Sequence, residues 1–397
     1  MNRRDFLKTS TLTAATLAVS PLQADAAKDN DKPIVKRYKE IGKTGIKMSD
    51  ISFGTTKLNS SSMILRAIDR GINYFDTAPD YGPAEDHIGE AMPKIKRDKI
   101  YLTSKMCRPE KGGHLPFGSK KKDYIEVVNN SLSRLKTDYL DICFVHSVGS
   151  MSKDKNEEMK RLFDEEMFSA ADELKKAGKI RFLGATSHGP DNMESLMMEA
   201  VMSGRFDLIM LAFNFMKFPK VPDVIKEAKK SGVGVIAMKT LAGAKDTKFD
   251  AKGEAFEPAV FKWVLKHPDV DGLVITFNTV SDFDLFLSAS GKDFTVSDQK
   301  ILDRYAQMYG KEYCRTGCSD CEASCKNGVG IANILRYEMY FKDYGMEKKA
   351  IESYARLKVN AKVCTDCKDN SCAGACPYGL PVNELLRKAH KDLSINV

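Results

Sequence analysis

Eight of the chain's ten cysteines fall in two bursts near its C-terminus. The first burst is Cys314-x3-Cys318-x2-Cys321-x3-Cys325, and the second is Cys364-x2-Cys367-x4-Cys372-x3-Cys376 followed by Pro377. Thiols this close in sequence either pair as disulfides or converge, as thiolates, on metal. Disulfide frameworks belong mainly to small exported domains without a sufficient core, whereas paired Cys-x2-Cys is a structural zinc spacing. A second set of reactive side chains lies far upstream. Asp76, Tyr81, Lys105 and His146 each sit at or just beyond the end of a short apolar run. A phenol beside an ammonium has its anion favoured, so the pKa of Tyr81 is expected to fall toward the working range. Asp76 would hold Lys105 charged and oriented. Tyr81 would then donate a proton to a carbonyl oxygen that His146 aims. Singly, Asp76 reads equally as a helix cap, Tyr81 as a loop aromatic and His146 as a satisfied core histidine. Their recurrence at the ends of consecutive runs is what points to a site.

The elements that must position these groups follow one rhythm from Tyr38 to about Ser290. β-rich apolar runs occur at 50–55, 73–78, 100–105, 139–146, 179–187, 207–215, 232–240 and 272–277. Helix-length amphipathic segments separate them, several ending in Lys-Gly, a usual helix stop. Eight nearly continuous apolar strands, each followed by a helix, predict an α/β fold, a parallel sheet closed into a (β/α)8 TIM barrel. An open doubly wound sheet is the alternative. The count of eight and the lack of a glycine-rich loop after the first strand argue against it. In a barrel, chemistry sits at the C-terminal ends of the strands, where all four upstream residues fall. The segment "YKEIGKTGIKMSD" reads as a hairpin plugging the other end. After Gly291 the rhythm stops and helical patterns frame the cysteines, so the barrel is assigned to 38–292 and a mainly α-helical domain to 293–397. A length of 397 residues, 43% hydrophobic and 29% charged, is ordinary for a soluble globular chain. The net charge of +8 is spread among interleaved acids and bases, which speaks for a solvated surface and against a nucleic-acid partner.

Three stretches carry a family resemblance. "GINYFDTAPDYGPAEDHIGEAM", "YLTSK" and "FVHSVG" are similar to the signature regions of the aldo-keto reductases, over roughly residues 38–290. The resemblance implies a barrel that reduces aldehydes and ketones with a nicotinamide cofactor, NAD(P)(H), through a tetrad carried over as Asp76, Tyr81, Lys105 and His146. The cofactor side departs from the pattern. Where the family clamps the nicotinamide amide with Ser-Asn and Gln and stacks its ring on Tyr, this chain has Thr186 and Ser187, Met210 and Met238. Thr and Ser can still bond an amide, Met210 cannot replace Gln, and Met238 offers an adaptable apolar surface. The family's NADP-selecting basic residues would fall near Phe277, Asn278 and Phe283, none of them basic; Asn278 can still contact a ribose or phosphate. Lys239 sits where it can reach a cofactor phosphate or an acidic substrate, or it is an ordinary rim lysine.

The cysteine bursts carry a second resemblance. Cys-x2-Cys upstream of a closing Cys-x3-Cys-Pro is similar to the bacterial ferredoxin run, which holds [4Fe–4S] clusters on four thiolates. Both bursts contain extra residues, and Lys326 stands where the first would have proline. In two-cluster ferredoxins the fourth cysteine of each run serves the other cluster. The resemblance therefore implies that Cys325 joins Cys364, Cys367 and Cys372, while Cys376 joins Cys314, Cys318 and Cys321; local pairing within each burst is the simpler alternative. At the other end, residues 1–27 combine Arg3-Arg4, a weakly apolar middle and an Ala-x-Ala site, resembling a twin-arginine export signal, with 28–37 as linker. That route carries folded proteins with cofactors installed, which suits iron–sulfur better than disulfides. The expectation is a periplasmic or otherwise exported oxidoreductase with no membrane span in the mature chain. It would act on a small-molecule carbonyl or alcohol, and its two clusters would serve a redox partner protein or the fold. The rival readings are a barrel without catalysis that binds or transfers electrons, and a zinc-stabilised reductase.

Overall fold

The computed structural model describes residues 32–110, 112–189, 192–241, 255–310, 313–315, 318–343 and 346–394. The export signal expected over 1–27 lies outside the described residues. Ten strands are present: β1 Tyr38–Glu40, β2 Lys47–Ser49, β3 Ile51–Gly54, β4 Tyr74–Asp76, β5 Tyr101–Lys105, β6 Leu140–Val145, β7 Ile180–Ser187, β8 Leu208–Ala212, β9 Gly234–Met238 and β10 Gly272–Thr276. Strands β3 to β10 form a closed, wholly parallel barrel in chain order, sealed by pairing of β10 with β3 (Thr276 opposite Gly54). Each apolar run of the sequence is one of these strands. They are apolar throughout because helices cover one face and barrel side chains fill the other.

The barrel helices are α1 Ser61–Asp69, α2 Ala84–Ala91, α3 Lys121–Leu135, α4 Lys155–Leu162, α5 Glu165–Lys176, α6 Met193–Met202, α7 Val221–Ser231, α8 Phe256–Leu265 and α9 Ser281–Leu287. Their ends obey local chemistry. Ser60, Asp154 and Asp164 accept from backbone amides at the starts of α1, α4 and α5, each cap contributing about 1 kcal/mol. Helix α7 carries proline in its first turn and ends on Gly232 at φ +74°, the left-handed stop that glycine adopts without strain.

Strands β1 and β2 are an antiparallel hairpin that closes the N-terminal end. Ile41, Ile46 and Met48 insert into the barrel interior against Tyr74, Ile142, Phe144, Leu208, Met210 and Ile236. The Asp271 carboxylate ties the plug down, accepting from Gly42 N (3.1 Å) and Val235 N (2.8 Å). At Gly42, φ is +48° and a Cβ would lie 2.4 Å from Gly234 N, so only glycine fits.

Beyond the barrel come α10 Val296–Tyr309, α11 Ile331–Asp343, α12 Glu347–Ala355, α13 Ser371–Gly374 and α14 Val382–Leu393. Helix α10 differs from the expected division at 292/293. Its Ile301, Leu302 and Tyr305 belong to the barrel's core, and its first turn is pinned by the Lys262–Asp298 ion pair. A separate core begins only past Tyr309. It gathers Val329, Ile331, Ile334, Leu335, Ala350, Tyr354, Leu380, Val382, Leu386 and Leu393 around the cysteines. Among the described residues this second part is helical and contains no strand. It docks on the loops at the C-terminal face of the barrel: Lys153, after β6, bonds Tyr337 and lies over its ring, and Lys217, after β8, donates to Met339 Sδ at 3.7 Å.

Candidate active site and cysteine quartets

Strands β4, β5 and β6 end side by side and deliver Asp76, Lys105 and His146 to one mouth. Lys105 is 2% exposed and Asp76 4%. A buried ammonium is tolerable only when fully bonded. Lys105 Nζ donates to Asp76 Oδ1 (2.8 Å), Asp76 Oδ2 (2.9 Å) and Thr77 O (2.7 Å). Thr103 Oγ1 adds a bond to Asp76 Oδ1 at 2.9 Å. Burial works against the Lys105 charge, but Asp76 and Tyr81 more than offset it and hold its pKa above the ordinary lysine value. Tyr81, in the loop after β4, places its ring centre 4.9 Å from Lys105 Nζ. The three residues are brought together as the sequence predicts.

The direction expected for the phenol is not found. Desolvation pushes the Tyr81 pKa up to about 12, and the Lys105 charge only moderates that rise. The ring keeps partial exposure at the rim, but the cost of an anion at this site exceeds what one ammonium, already neutralised by Asp76, gives back. Tyr81 is a phenol held protonated.

His146 is 2% exposed. Burial and the neighbouring Lys105, His114, His188 and Arg161 drive its pKa well below the ordinary histidine value. Two further histidines share this mouth, unanticipated from sequence. His114 crosses His146 edge to face at 4.6 Å and His188 lies 6.3 Å away. Burial lowers them to about 4 and about 3, so all three imidazoles are neutral at pH 7. Half of the chain's six histidines converge here, a signal visible only once the loops after β5 and β7 are placed. Cys107 is buried beside Asp80, and Cys143 is buried within β6.

The expected cofactor residues fare differently. The Thr186 hydroxyl accepts from Ser147 N (2.8 Å), and Ser187 Oγ donates to Val148 O (2.6 Å); both serve the turn after β6 and neither is free for an amide. Met210 is 1% exposed inside the barrel, packed with the plug. It is core, not a cofactor contact, because its strand position points inward. Met238 belongs to the same interior cluster at 8% exposure. Lys239 follows it at φ +54° and acts electrostatically on His188, so it does reach the mouth. Asn278 is exposed, but its backbone N–H and that of Thr279 bond the Asp282 carboxylate (2.7 and 3.0 Å). Phe277 and Phe283 stack in the core at 4.7 Å. An acid thus occupies the turn where the resemblance would place phosphate-binding base, and the described residues do not fit the family's nicotinamide clamp.

The cysteines form two groups, each drawing on both bursts. Cys314, Cys318 and Cys321 interact electrostatically with Cys376, while Cys364 and Cys372 interact with Cys325 and Cys367. The second group lines a cavity of about 270 Å³ together with Lys326, Lys368 and Asn383. Burial and mutual repulsion raise the thiols of Cys314 and Cys321 to about 12 and of Cys364 to about 11. Cys314, Cys321 and Cys364 would hold their protons unless a cation displaced them. None of the ten cysteines is paired in a disulfide. Arg387 braces the second group, donating to Cys364 O and Cys367 O at 2.9 Å each.

The aldo/keto reductase family model matches residues 50–260, just over half of the chain. The chain belongs to the aldo/keto reductase family. Its relatives include the Bacillus subtilis uncharacterized oxidoreductase YqkF, 33% identical over 41% of this chain and 56% of that protein. L-Galactose dehydrogenase of Arabidopsis thaliana is 28% identical over 51% and 64% of the two chains. L-Glyceraldehyde 3-phosphate reductase of Escherichia coli is 27% identical over 52% and 62%. The chain thus spans little more than half the length of these aldo/keto reductase relatives. In fold, the holo form of a Bacillus halodurans aldo-keto reductase superposes with TM-score 0.54 at 20% identity, covering 68% of this chain and 95% of that one.

Proposed function

We propose that the protein is an exported oxidoreductase that interconverts a carbonyl and an alcohol at the barrel mouth and carries two [4Fe–4S] clusters on its cysteine quartets. The observation that carries the enzymatic reading is the fully bonded Asp76–Lys105 pair set against Tyr81. Tyr81, protonated up to about pH 12, is suited to donate a proton to a carbonyl oxygen as that carbon is reduced. Lys105 stabilises the phenolate left behind, and Asp76 keeps Lys105 in place. His146, neutral, is suited to hydrogen-bond the same oxygen. The substrate class follows from the relatives, whose names specify small hydroxylated aldehydes and sugars. The two electrons that accompany the Tyr81 proton must come from a hydride donor, and the family's nicotinamide clamp is not what would hold one here, since Thr186, Ser187 and Met210 are committed to internal contacts.

The two quartets, each four thiols from two converging segments, suit a cubane cluster. When bound, such a cluster moves one electron at a time. Arg336 acts electrostatically on both Cys314 and the barrel's Glu194, which links the Cys314 group to the barrel. The Cys325 group opens on its cavity toward solvent, where a redox partner protein would dock. Export rests on the Arg3-Arg4 signal. Among the described residues no helix is long and apolar enough to cross a membrane.

Tyr81→Phe tests the enzymatic reading. Turnover of hydroxyaldehydes should fall by roughly 10²–10⁴-fold with the fold intact, and undiminished turnover would sink it. Iron, sulfide and zinc analysis of anaerobically purified protein tests the clusters; zinc without sulfide would replace them with structural zinc. One observation favours a second reading, a barrel that binds without hydride transfer. It is the commitment of Thr186, Ser187 and Met210 to internal contacts, and an absence of nicotinamide binding in titration would support it.

A further inference from the structure

We propose that Asp80, His114 and His146 form a binding site for a divalent transition-metal cation, such as zinc, at the mouth of the barrel. One donor atom from each residue lies within 4.8 Å of the other two. Asp80 Oδ1 is 3.6 Å from His146 Nδ1. Around a tetrahedral zinc with bonds near 2.0–2.1 Å, donors stand about 3.3 Å apart, so the Asp80–His146 spacing is already close to what such an ion requires. The Nδ1 atoms of His114 and His146 are buried and have no hydrogen-bond partner. An orphaned nitrogen on each of two imidazoles facing one carboxylate is costly unless something accepts their lone pairs.

The Asp80 carboxylate is available to a cation. Lys105 is neutralised by Asp76, and Arg161 by Glu158 at 3.0 Å. Among the described residues no lysine or arginine lies in ion-pair reach of Asp80. Its carboxylate is therefore not committed to a protein cation, although Lys105 and Lys239 both add positive charge near the mouth.

Supporting bonds fix the donors in advance. Cys107 and His114 pair across a short antiparallel bridge, with Arg108 N donating to Gly113 O at 2.7 Å. The Arg161 guanidinium then spans the two histidine segments, donating to Leu115 O (3.1 Å), Ser147 O (3.3 Å) and His146 O. Such an outer shell is what orients metal-binding histidines. Two histidines and one carboxylate make a donor set that leaves coordination positions open, as in hydrolytic zinc and non-haem iron sites. His146 faces Tyr81 with ring centres 6.0 Å apart, so a cation here would polarise the oxygen that Tyr81 protonates. That last consequence rests on the proposed enzymatic reading; the metal site does not.

The test is calorimetric titration of zinc chloride into chelator-treated protein whose cysteine-bound metal is retained. About one equivalent per chain is expected to bind beyond the cysteine sites. His114→Asn and Asp80→Asn should each weaken it by at least about 100-fold. Tyr81→Phe should bind zinc as the parent does, so loss of turnover there with intact binding separates failure of one proposal from failure of the other. Unchanged affinity in both ligand variants overturns the site. Should those variants fail to fold, diffraction from zinc-soaked parent crystals at the zinc edge decides it: an anomalous peak among the three side chains supports the site, and its absence overturns it.

Discussion

At the scale of single residues, the protonation state of Tyr81 governs what can be measured. With its pKa raised to about 12, the proton-donating form persists across the accessible range. Carbonyl reduction should therefore stay flat with rising pH to about 10, where a phenol with an ordinary pKa would already be half ionised. A pH–rate profile that declines with an apparent pKa near 8 would contradict this. Asp76 acts differently: removing its charge strands Lys105 at 2% exposure. Asp76→Asn should cost about 3–5 kcal/mol of stability, read as a shift in urea midpoint, so its lost activity would not by itself diagnose catalysis. The identities and convergence of Asp76, Tyr81, Lys105 and His146 were legible from sequence because strand ends are legible. The sign of the Tyr81 shift was not, since it depends on how much water the finished mouth excludes.

Among elements, the hairpin plug is the sharpest case. Gly42 meets the backbone of β9 where no Cβ fits, and it holds a left-handed φ. Gly42→Ala should destabilise the barrel by at least about 1 kcal/mol and lower the thermal midpoint without altering metal content. The alternation in "EIGKTGIKMS" forecasts the hairpin, and its position follows from the need to cover an open barrel end. Helix α10 shows the limit of such inference. Its apolar face at Ile301, Leu302 and Tyr305 is visible in the sequence, but periodicity does not say which of two cores receives it. The same holds for the loop carrying His114: a bridge between Cys107 and His114 leaves no periodic trace, so its histidine could not be assigned to the mouth in advance. Met210 erred the other way. Its alignment with a family position concealed an inward-pointing place in the packed interior.

At the scale of the molecule, the two cysteine groups share their fourth members across some forty residues of chain. Cys376→Ser should therefore disturb the group of Cys314, Cys318 and Cys321 while sparing that of its near neighbour Cys372. In a two-cluster protein the iron content should fall by about half, and the centre missing from the spectrum of Cys376→Ser should be the one missing from that of Cys314→Ser. Loss of the Cys364→Ser centre instead would mean that each burst serves itself. This exchange of members was implied by a resemblance and is matched by the electrostatic partners of Cys314 and Cys364. The exchange also imposes an order on biosynthesis. A ribosome that has released the first burst has delivered three-quarters of one nest and a lone member of the other; the second nest is complete only when Cys372 emerges, and the first only with Cys376. The barrel, whose strands pair in the order they are made, can finish well before then, leaving maturation of the helical part as the last event and the natural checkpoint for a finished molecule.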